Sequence, residues 1–428
     1  LIEKRRKAMT SYDFDIAVIG GGPAGLIAAG KAASMGARVV LLEKNAELGK
    51  KLLLTGNGRC NLTNETLDIP ELVQRFRRGG PFLFSALSRF GPRETMSFFE
   101  ERGIKLKTER GNRVFPVSDR APDILSGLYR YLKEHNVTIL REAAVLNMIV
   151  RNRRIERLVL QRRELAARHY ILCTGGKSYP QTGSTGDGYR WASMLGHNVT
   201  DLNPSIVPIK ASNPWVRSLM GLSLRNVSVS SYLEGKKQES RFGEMLFTHF
   251  GVSGPIIMDM SSHLLEIKEQ GHATLKIDLK PALDHKKLDS RLLRDFKKFS
   301  GRKLKNSLNE LLPQKLIPVI IELSEVDPEK WVDHLDRNER ERIIDHIKGL
   351  SLDISGSLGF RWSIVTSGGI EIKEVEPATM RSRIIENLSF AGEILDVDGP
   401  TGGFNLQECW TTGYIAGQAA AEIVSSTS

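Results

Sequence analysis

A chain of 428 residues exceeds what one ordinary core organises and predicts two or three domains. Its 40% apolar and 26% charged residues fit a folded globular protein rather than a disordered one, and no apolar run approaches the roughly 18–20 residues of a bilayer span, so a soluble protein is expected. A net charge of +11 leaves two readings, an anionic partner such as nucleic acid or a solvated basic surface with clusters at Arg75–Arg78 and Arg151–Arg163.

Residues 1–11 read as a leader, basic through Lys4, Arg5, Arg6 and Lys7 and expected to be disordered, with Met9 as an alternative first residue. The apolar run Ile16–Ile19 ends in glycines, as a strand does, and argues against a signal peptide. Three scattered cysteines, Cys60, Cys173 and Cys409, form neither a disulfide framework nor a zinc spacing. No metal is expected, and the cytoplasm is the expected compartment.

The first strand leads into Gly20, Gly22 and Gly25 in G-x-G-x-x-G spacing, with Pro23 and Ala24 opening an Ala-rich helix that ends at Gly36. A second strand, Ala37–Leu42, delivers Glu43. Three glycines alone are weak, but strand, turn, helix, strand and acid in this order form a dinucleotide fingerprint. Gly20 permits the tight turn, Gly22 lets backbone approach a pyrophosphate, and Gly25 lets helix and strand pack closely. The helix N-terminus offers free N–H groups to the diphosphate, and Glu43 can accept hydrogen bonds from ribose hydroxyls.

Val145–Val150 and Ile155–Leu160 alternate as strands across a basic turn. Tyr170–Leu172 then returns to the sheet and ends in the small residues Thr174, Gly175 and Gly176, where backbone must approach a cofactor. Asp187 is expected to cap the helix that ends at Gly196–His197. Alternation at Val227, Val229, Ala273, Leu275, Ile277 and Leu279 predicts antiparallel strands across 205–281. Segment 282–350 carries helical stripes at Leu288, Leu292, Leu293 and Phe296, at Leu304, Leu308, Leu311 and Leu312, and at Ile343, Ile344 and Ile347. Strands resume near Leu358.

The far end selects the dinucleotide. A short strand, Leu388–Ala391, ends in Gly392-Glu393, where the acid can bind the ribityl hydroxyls of FAD. A loop with Gly402 and Gly403 then opens a helix over about 405–423. That N-terminus would stabilise negative charge on a reduced flavin, a second site that NAD does not need. The expected architecture is α/β: a Rossmann-like FAD-binding domain of the glutathione-reductase type over 12–204 and 362–428. A small β-barrel domain over 205–281 and 351–361 is inserted into it and itself carries a helical insert over 282–350.

The motifs Ile19–Gly25, Lys51–Asn64, Val114–Pro116, Thr174–Pro180, Thr182–Tyr189, Gly243–Gly251, Gly392–Asp396 and Gly399–Gln407 follow one another in the order of a known family. The sequence resembles the bacterial two-domain flavoproteins labelled NAD(P)/FAD-dependent, or aminoacetone-oxidase-type, oxidoreductases, among which a bile-acid-intermediate reductase has been placed. Departures fall at Asn57, where the family more often has glycine or serine, and at Glu408-Cys409-Trp410, in place of a small-residue helix start.

The resemblance implies FAD contacts from Lys44, Lys51, Gly58, Arg59, Cys60, Asn61, Val145, Phe404 and Asn405 beside the glycines and acids above. Arg59 can pair with diphosphate or with an anionic substrate. Cys60 is either a redox partner of the flavin or a buried thiol. His249 is the acid/base candidate, and Tyr179 can donate to a substrate carbonyl. Three functions remain open: oxidoreduction of a small molecule with NAD(P)H as transient reductant, action on RNA, and redox sensing without turnover.

Overall fold

The computed structural model describes residues 12–426, and the expected leader over 1–11 lies outside the described residues. The chain divides into two compact units. One runs to Ser205 and resumes at Ser363; the other is Ile206–Trp362.

The first unit is built on a five-stranded, all-parallel sheet in the order β19-β10-β1-β2-β6. Its strands are β1 (Phe14–Ile19), β2 (Val39–Leu42), β6 (Thr138–Leu140), β10 (Ala167–Leu172) and β19 (Leu388–Phe390). Continuous apolar runs such as Val39-Val40-Leu41-Leu42 suit central strands covered on both faces, and all four are buried. Helix α1 (Pro23–Ser34) follows the first glycine turn and packs against α11 (Phe404–Ser426). Small residues set that approach: a Cβ on Gly413 would lie 2.4 Å from the Ala24 carbonyl oxygen, and one on Gly417 2.4 Å from that of Ala28. Helix α5 (Ala121–Glu134) also packs against α1, with Tyr131 laid on Gly30.

Around this centre, β3 (Thr63–Asn64), β5 (Arg113–Pro116) and β4 (Leu106–Glu109) form a small antiparallel sheet in that order. The chain between β3 and β4 forms α2 (Ile69–Arg75), α3 (Gly80–Leu87) and α4 (Pro92–Glu100). The meander β7 (Val145–Arg151), β8 (Arg154–Leu160) and β9 (Glu164–Leu165) turns at Asn152-Arg153, both left-handed. Helix α6 (Asp187–Met194) follows β10, and β11 (Asn203–Ser205) pairs with β18 (Val365–Ser367), so the chain leaves this unit and re-enters it through neighbouring strands.

In the second unit six strands close into an antiparallel barrel, β12-β15-β14-β13-β16-β17. They are β12 (Ile209–Ala211), β13 (Ser223–Leu233), β14 (Lys236–Phe247), β15 (Gly251–Ser253), β16 (Ala273–Asp278) and β17 (Leu350–Ser357). Between β16 and β17 the chain forms α8 (His285–Lys298), α9 (Leu316–Leu323) and α10 (Arg337–Lys348). The fold is therefore a Rossmann-type α/β domain carrying a β-barrel that itself holds a helical insert.

Particular elements depart from expectation. Residues Pro255–Gln270, within a segment expected to be strands, form helix α7, which packs against all six barrel strands through Ile257, Met260 and Leu264. The buried Ser261 hydroxyl accepts from the Val207 amide, so the polar group on its packed face is bonded inside the unit. Strand β17 begins at Leu350, ahead of Leu358. The Leu304, Leu308, Leu311 and Leu312 stripe is buried but not helical, only Leu304 lying in a short 3₁₀ turn, and Leu293 of α8 is exposed.

Candidate functional site

Chain entry into α1 is the most open part of the fingerprint. Gly20 has φ +105°, and a Cβ there would stand 2.4 Å from the Cys173 carbonyl oxygen; one on Gly25 would strike the Gly20 oxygen at 1.9 Å. Those two glycines let chain approach chain. Gly22 differs, because a Cβ there would meet nothing within 4 Å. No side chain caps α1, its first turn holds no acid, and Pro23 lacks an N–H. The turn thus presents backbone donors and the positive end of the helix dipole to open space, the requirement for an anion.

Beside it, Glu43 is buried at the end of β2. One carboxylate oxygen accepts from the Gly21 amide (2.9 Å), and the other from the Asn45 amide (2.8 Å) and side chain (2.7 Å). The Ala143 amide donates to the Glu43 carbonyl (2.9 Å), which brings the start of β7 and Val145 to this edge. Lys44 reaches Thr185 (2.6 Å) and Asp187 (2.7 Å), while Asn45 donates to the Thr182 carbonyl. Asp187 is the first residue of α6 and makes no cap; its carboxylate serves Lys44, and hydrogen bonds from Lys44 and Thr185 hold it below the usual range against the upward pull of burial. The loop 182–187 is therefore clasped to the Glu43 edge, a join between residues more than 130 apart that no local spacing signals.

A second acid closes the centre. Glu393 accepts from Lys51 at 2.5 Å and from the Thr366 amide at 2.9 Å, and its carbonyl accepts from the buried Tyr189 hydroxyl. A Cβ on Gly176 would crowd Thr366 and the Glu393 carboxylate, and Gly175 is left-handed. Thr174 has a buried hydroxyl oxygen without a hydrogen-bond partner, the kind of orphan a ligand satisfies. Gly392 gives its amide to Thr412 (2.9 Å) and lies against Ala24.

The loop from Gly56 to Asn64 and the turn before α11 are bonded to one another. Gly56, Asn57, Gly58 and Cys60 are all left-handed, so Asn57 is a residue type that tolerates its conformation. Asn61, with its amide oriented by its neighbours, donates to the Thr63 carbonyl and accepts from the Gly403 amide at 3.1 Å. The Asn64 side chain donates to the Gly402 carbonyl, Thr63 pairs with Gln407, and the Trp410 indole donates to the Leu62 carbonyl. Asn405 staples its own loop through Gly399 and Pro400, and Phe404 is buried edge-on to Phe76.

Of the expected reactive groups, Arg59 pairs with Glu109 and Asp119 and lies over the Phe115 ring at 4.1 Å. Cys60 is fully buried, which pushes its thiol up to about 12 and keeps it from being a thiolate. Tyr179 is left-handed and half-buried, its phenol raised by burial. His249 belongs to the second unit, exposed on the β14–β15 turn against Phe250. Among the described residues no group of three His, Cys, Asp or Glu is placed to hold a metal, and no helix is long and apolar enough to cross a membrane.

An open glycine turn, a ribose-competent acid and a second acid beside a second glycine turn are the parts of an FAD-type site. The model of the HI0933-like protein Rossmann domain matches residues 14–419. The chain belongs to that family. Its cofactor is FAD and its chemistry is oxidoreduction. The 3-dehydro-bile acid delta(4,6)-reductase of Clostridium scindens is 33% identical, over 95% of this chain and 99% of its own. The ribosomal RNA dihydrouridine synthase of Escherichia coli is 28% identical, over 95% and 97% respectively. Among solved structures, the 3-ketosteroid delta1-dehydrogenase of Sterolibacterium denitrificans superposes with a TM-score of 0.53 at 14% identity, over 96% of this chain and 99% of that one, a likeness of fold.

Proposed function

We propose that this chain saturates a carbon–carbon double bond conjugated to a carbonyl in a small molecule, with NAD(P)H as the reductant. One observation carries the reading. Two relatives that each span nearly the whole chain have unrelated substrates by name, a bile acid and a ribosomal nucleotide, yet both names describe addition of hydrogen across a double bond. What they share is the reaction, and what this chain shares with them is the architecture that would hold the flavin.

When bound, the flavin supplies hydride transfer; the protein supplies position and electrostatics. The α1 turn at Gly20, Gly22, Pro23, Ala24 and Gly25 would take the diphosphate, and Glu43, with Lys44 and Val145 at the same edge, the adenosine ribose. Glu393 would take the ribityl chain. Lys51 neutralises that acid until polyol hydroxyls share it. Gly58, Cys60 and Asn61 would shape one wall, and Thr174, Gly175, Gly176, Gly392, Gly402, Gly403, Phe404 and Asn405 the other. Tyr179 remains the proposed donor to a substrate carbonyl, and His249 the proposed acid/base group. Arg59, its charge already balanced, is proposed to order its loop. The three thiols are free, in keeping with a reducing cytosol.

A second reading has its own support: the +11 charge and the dihydrouridine synthase relatives favour a nucleobase in RNA as the substrate. One experiment separates the two. Purified protein reduced anaerobically by NADPH or NADH is mixed with an unsaturated steroid ketone or with ribosomal RNA lacking dihydrouridine, and flavin reoxidation is followed. Reoxidation by the ketone alone supports the small-molecule reading, and by RNA alone the second. A flavin that neither nicotinamide reduces would overturn the proposed reductant.

A further inference from the structure

Glu408 stands in the first turns of α11, where the sequence departs from its family, and it is 2% exposed. Its carboxyl has poor company. The Cys409 thiol donates to one oxygen at 3.5 Å and the Thr412 hydroxyl lies 3.4 Å from the other, its better bond (2.7 Å) going to the Glu408 carbonyl. The charged and titratable groups that act on it are Glu393 from the loop after β19, Cys409 on its own helix, Cys173 after β10 and Tyr189 from α6; none is a cation. Glu393 itself is paired with an ammonium, that of Lys51.

A carboxylate desolvated this completely without a cation is costly, so the group holds its proton, and burial pushes it up to about 8. Its position ties that proton to the cofactor site. Thr412, which bonds Glu408, also receives the Gly392 amide, and Gly392 lies against Ala24 in the first turn of α1 and near Cys409. A dinucleotide diphosphate at that turn brings negative charge toward a buried site that already contains Glu393.

We propose that Glu408 is a positioning residue whose proton is required for tight FAD binding, so that this chain couples cofactor affinity to pH. The proposal rests on the FAD site described above. The sign follows from linkage. FAD favours the neutral carboxyl, so its affinity is full below the Glu408 pKa and falls as pH rises through it. Asp398, also raised by burial, to about 6, titrates below this window, while burial lifts Cys173, Cys409 and Tyr189 above it.

The test uses full-length protein stripped of flavin. FAD is titrated by fluorescence quenching from pH 6 to 9.5, for the wild type and Glu408→Gln. The wild-type Kd is expected to rise by on the order of tenfold between pH 7 and 9.5, the effect of a one-unit shift in Glu408 on binding, while the glutamine variant stays level. Parallel curves overturn the coupling, whereas failure of both proteins to take up FAD at any pH overturns the cofactor reading with it. Urea unfolding of the two flavin-free proteins reads the proton directly. Glu408→Gln should gain on the wild type as pH rises from 4.5 to 8 and keep a constant lead above; a lead that does not change with pH overturns the proposal.

Discussion

The two glycine turns that open α1 and α11 read alike in the sequence and face different things in the structure. Gly22 meets empty space, and the helix behind it has no side-chain cap. Gly403, left-handed at φ +100°, is pressed on the Thr63 backbone, where a Cβ would stand 2.4 Å from both the carbonyl carbon and oxygen. The first turn is shaped for a ligand to approach chain; the second is shaped for chain to approach chain. A glycine fingerprint therefore carries two kinds of constraint, separable by substitution.

The largest effect is expected at the closed turn. Gly403→Ala combines a left-handed strain of about 1–3 kcal/mol with a clash against backbone that cannot rotate aside, so a loss of about 3 kcal/mol or more is expected in urea unfolding. The Asn61–Gly403 bond should go with it. Near-wild-type stability would show that the loop relaxes and that the contrast between the turns is not real.

Glu43→Ala comes next, at the edge of the open turn. It removes the acceptor of one hydrogen bond from Gly21 and of two from Asn45, so part of the loss is structural. Hydrogen bonds to a charged group contribute about 1.5–3 kcal/mol, which predicts FAD binding weakened about tenfold or more in a fluorescence titration. Glu43→Gln sharpens the test, because it keeps an acceptor for one side only and should fall between. Wild-type affinity in the alanine variant would remove the acid from the ribose site.

Gly22→Ser isolates the ligand's share. The backbone there, φ −84° and ψ −175°, suits any residue, and serine is a favoured N-cap. Stability of the flavin-free protein should match or exceed the wild type, while FAD affinity drops about tenfold as the hydroxymethyl group takes the approach path. Equal FAD affinity would mean the open space is not where the diphosphate goes.

Much of this was legible from the residues. Strand, glycine turn, helix, strand and Glu43 form one local run, and the alternation of β13 and β16 follows from a period of two. The joins that complete the site were not, because they link residues far apart in sequence: Lys51 with Glu393, Asn61 with Gly403, Lys44 with Asp187. Each joins a loop residue to another loop or to the first residue of a helix, where no period carries a signal. Helix α7 was hidden for a different reason. Its Pro-Ile-Ile-Met start is short and apolar, which reads as a buried strand as readily as a helix packed on a barrel. Glu408 was visible as a departure from the family, but its lack of any cation belongs to the packing of four separate segments.

The smallest effect is expected at Arg59, and it tests the closed turn from outside. Its loop reaches Gly403 through Asn61, two residues on, while its guanidinium turns to Glu109 and Asp119; those bonds raise it above its ordinary value, Arg59 holds Glu109 below its own, and Lys107 together with Arg59 holds Asp119 down. Lys107 bonds Asp119 as well, so the cluster retains a cation when the arginine is lost. Exposed pairs of this kind are screened by salt and contribute little, so Arg59→Met should leave FAD affinity within about twofold of the wild type at 150 mM salt. A tenfold loss that disappears at high salt would place the guanidinium on an anion after all. A tenfold loss that salt leaves unchanged would mean that the Phe115 stacking orders the Asn61 loop, extending the closed turn's chain-on-chain constraint to the surface.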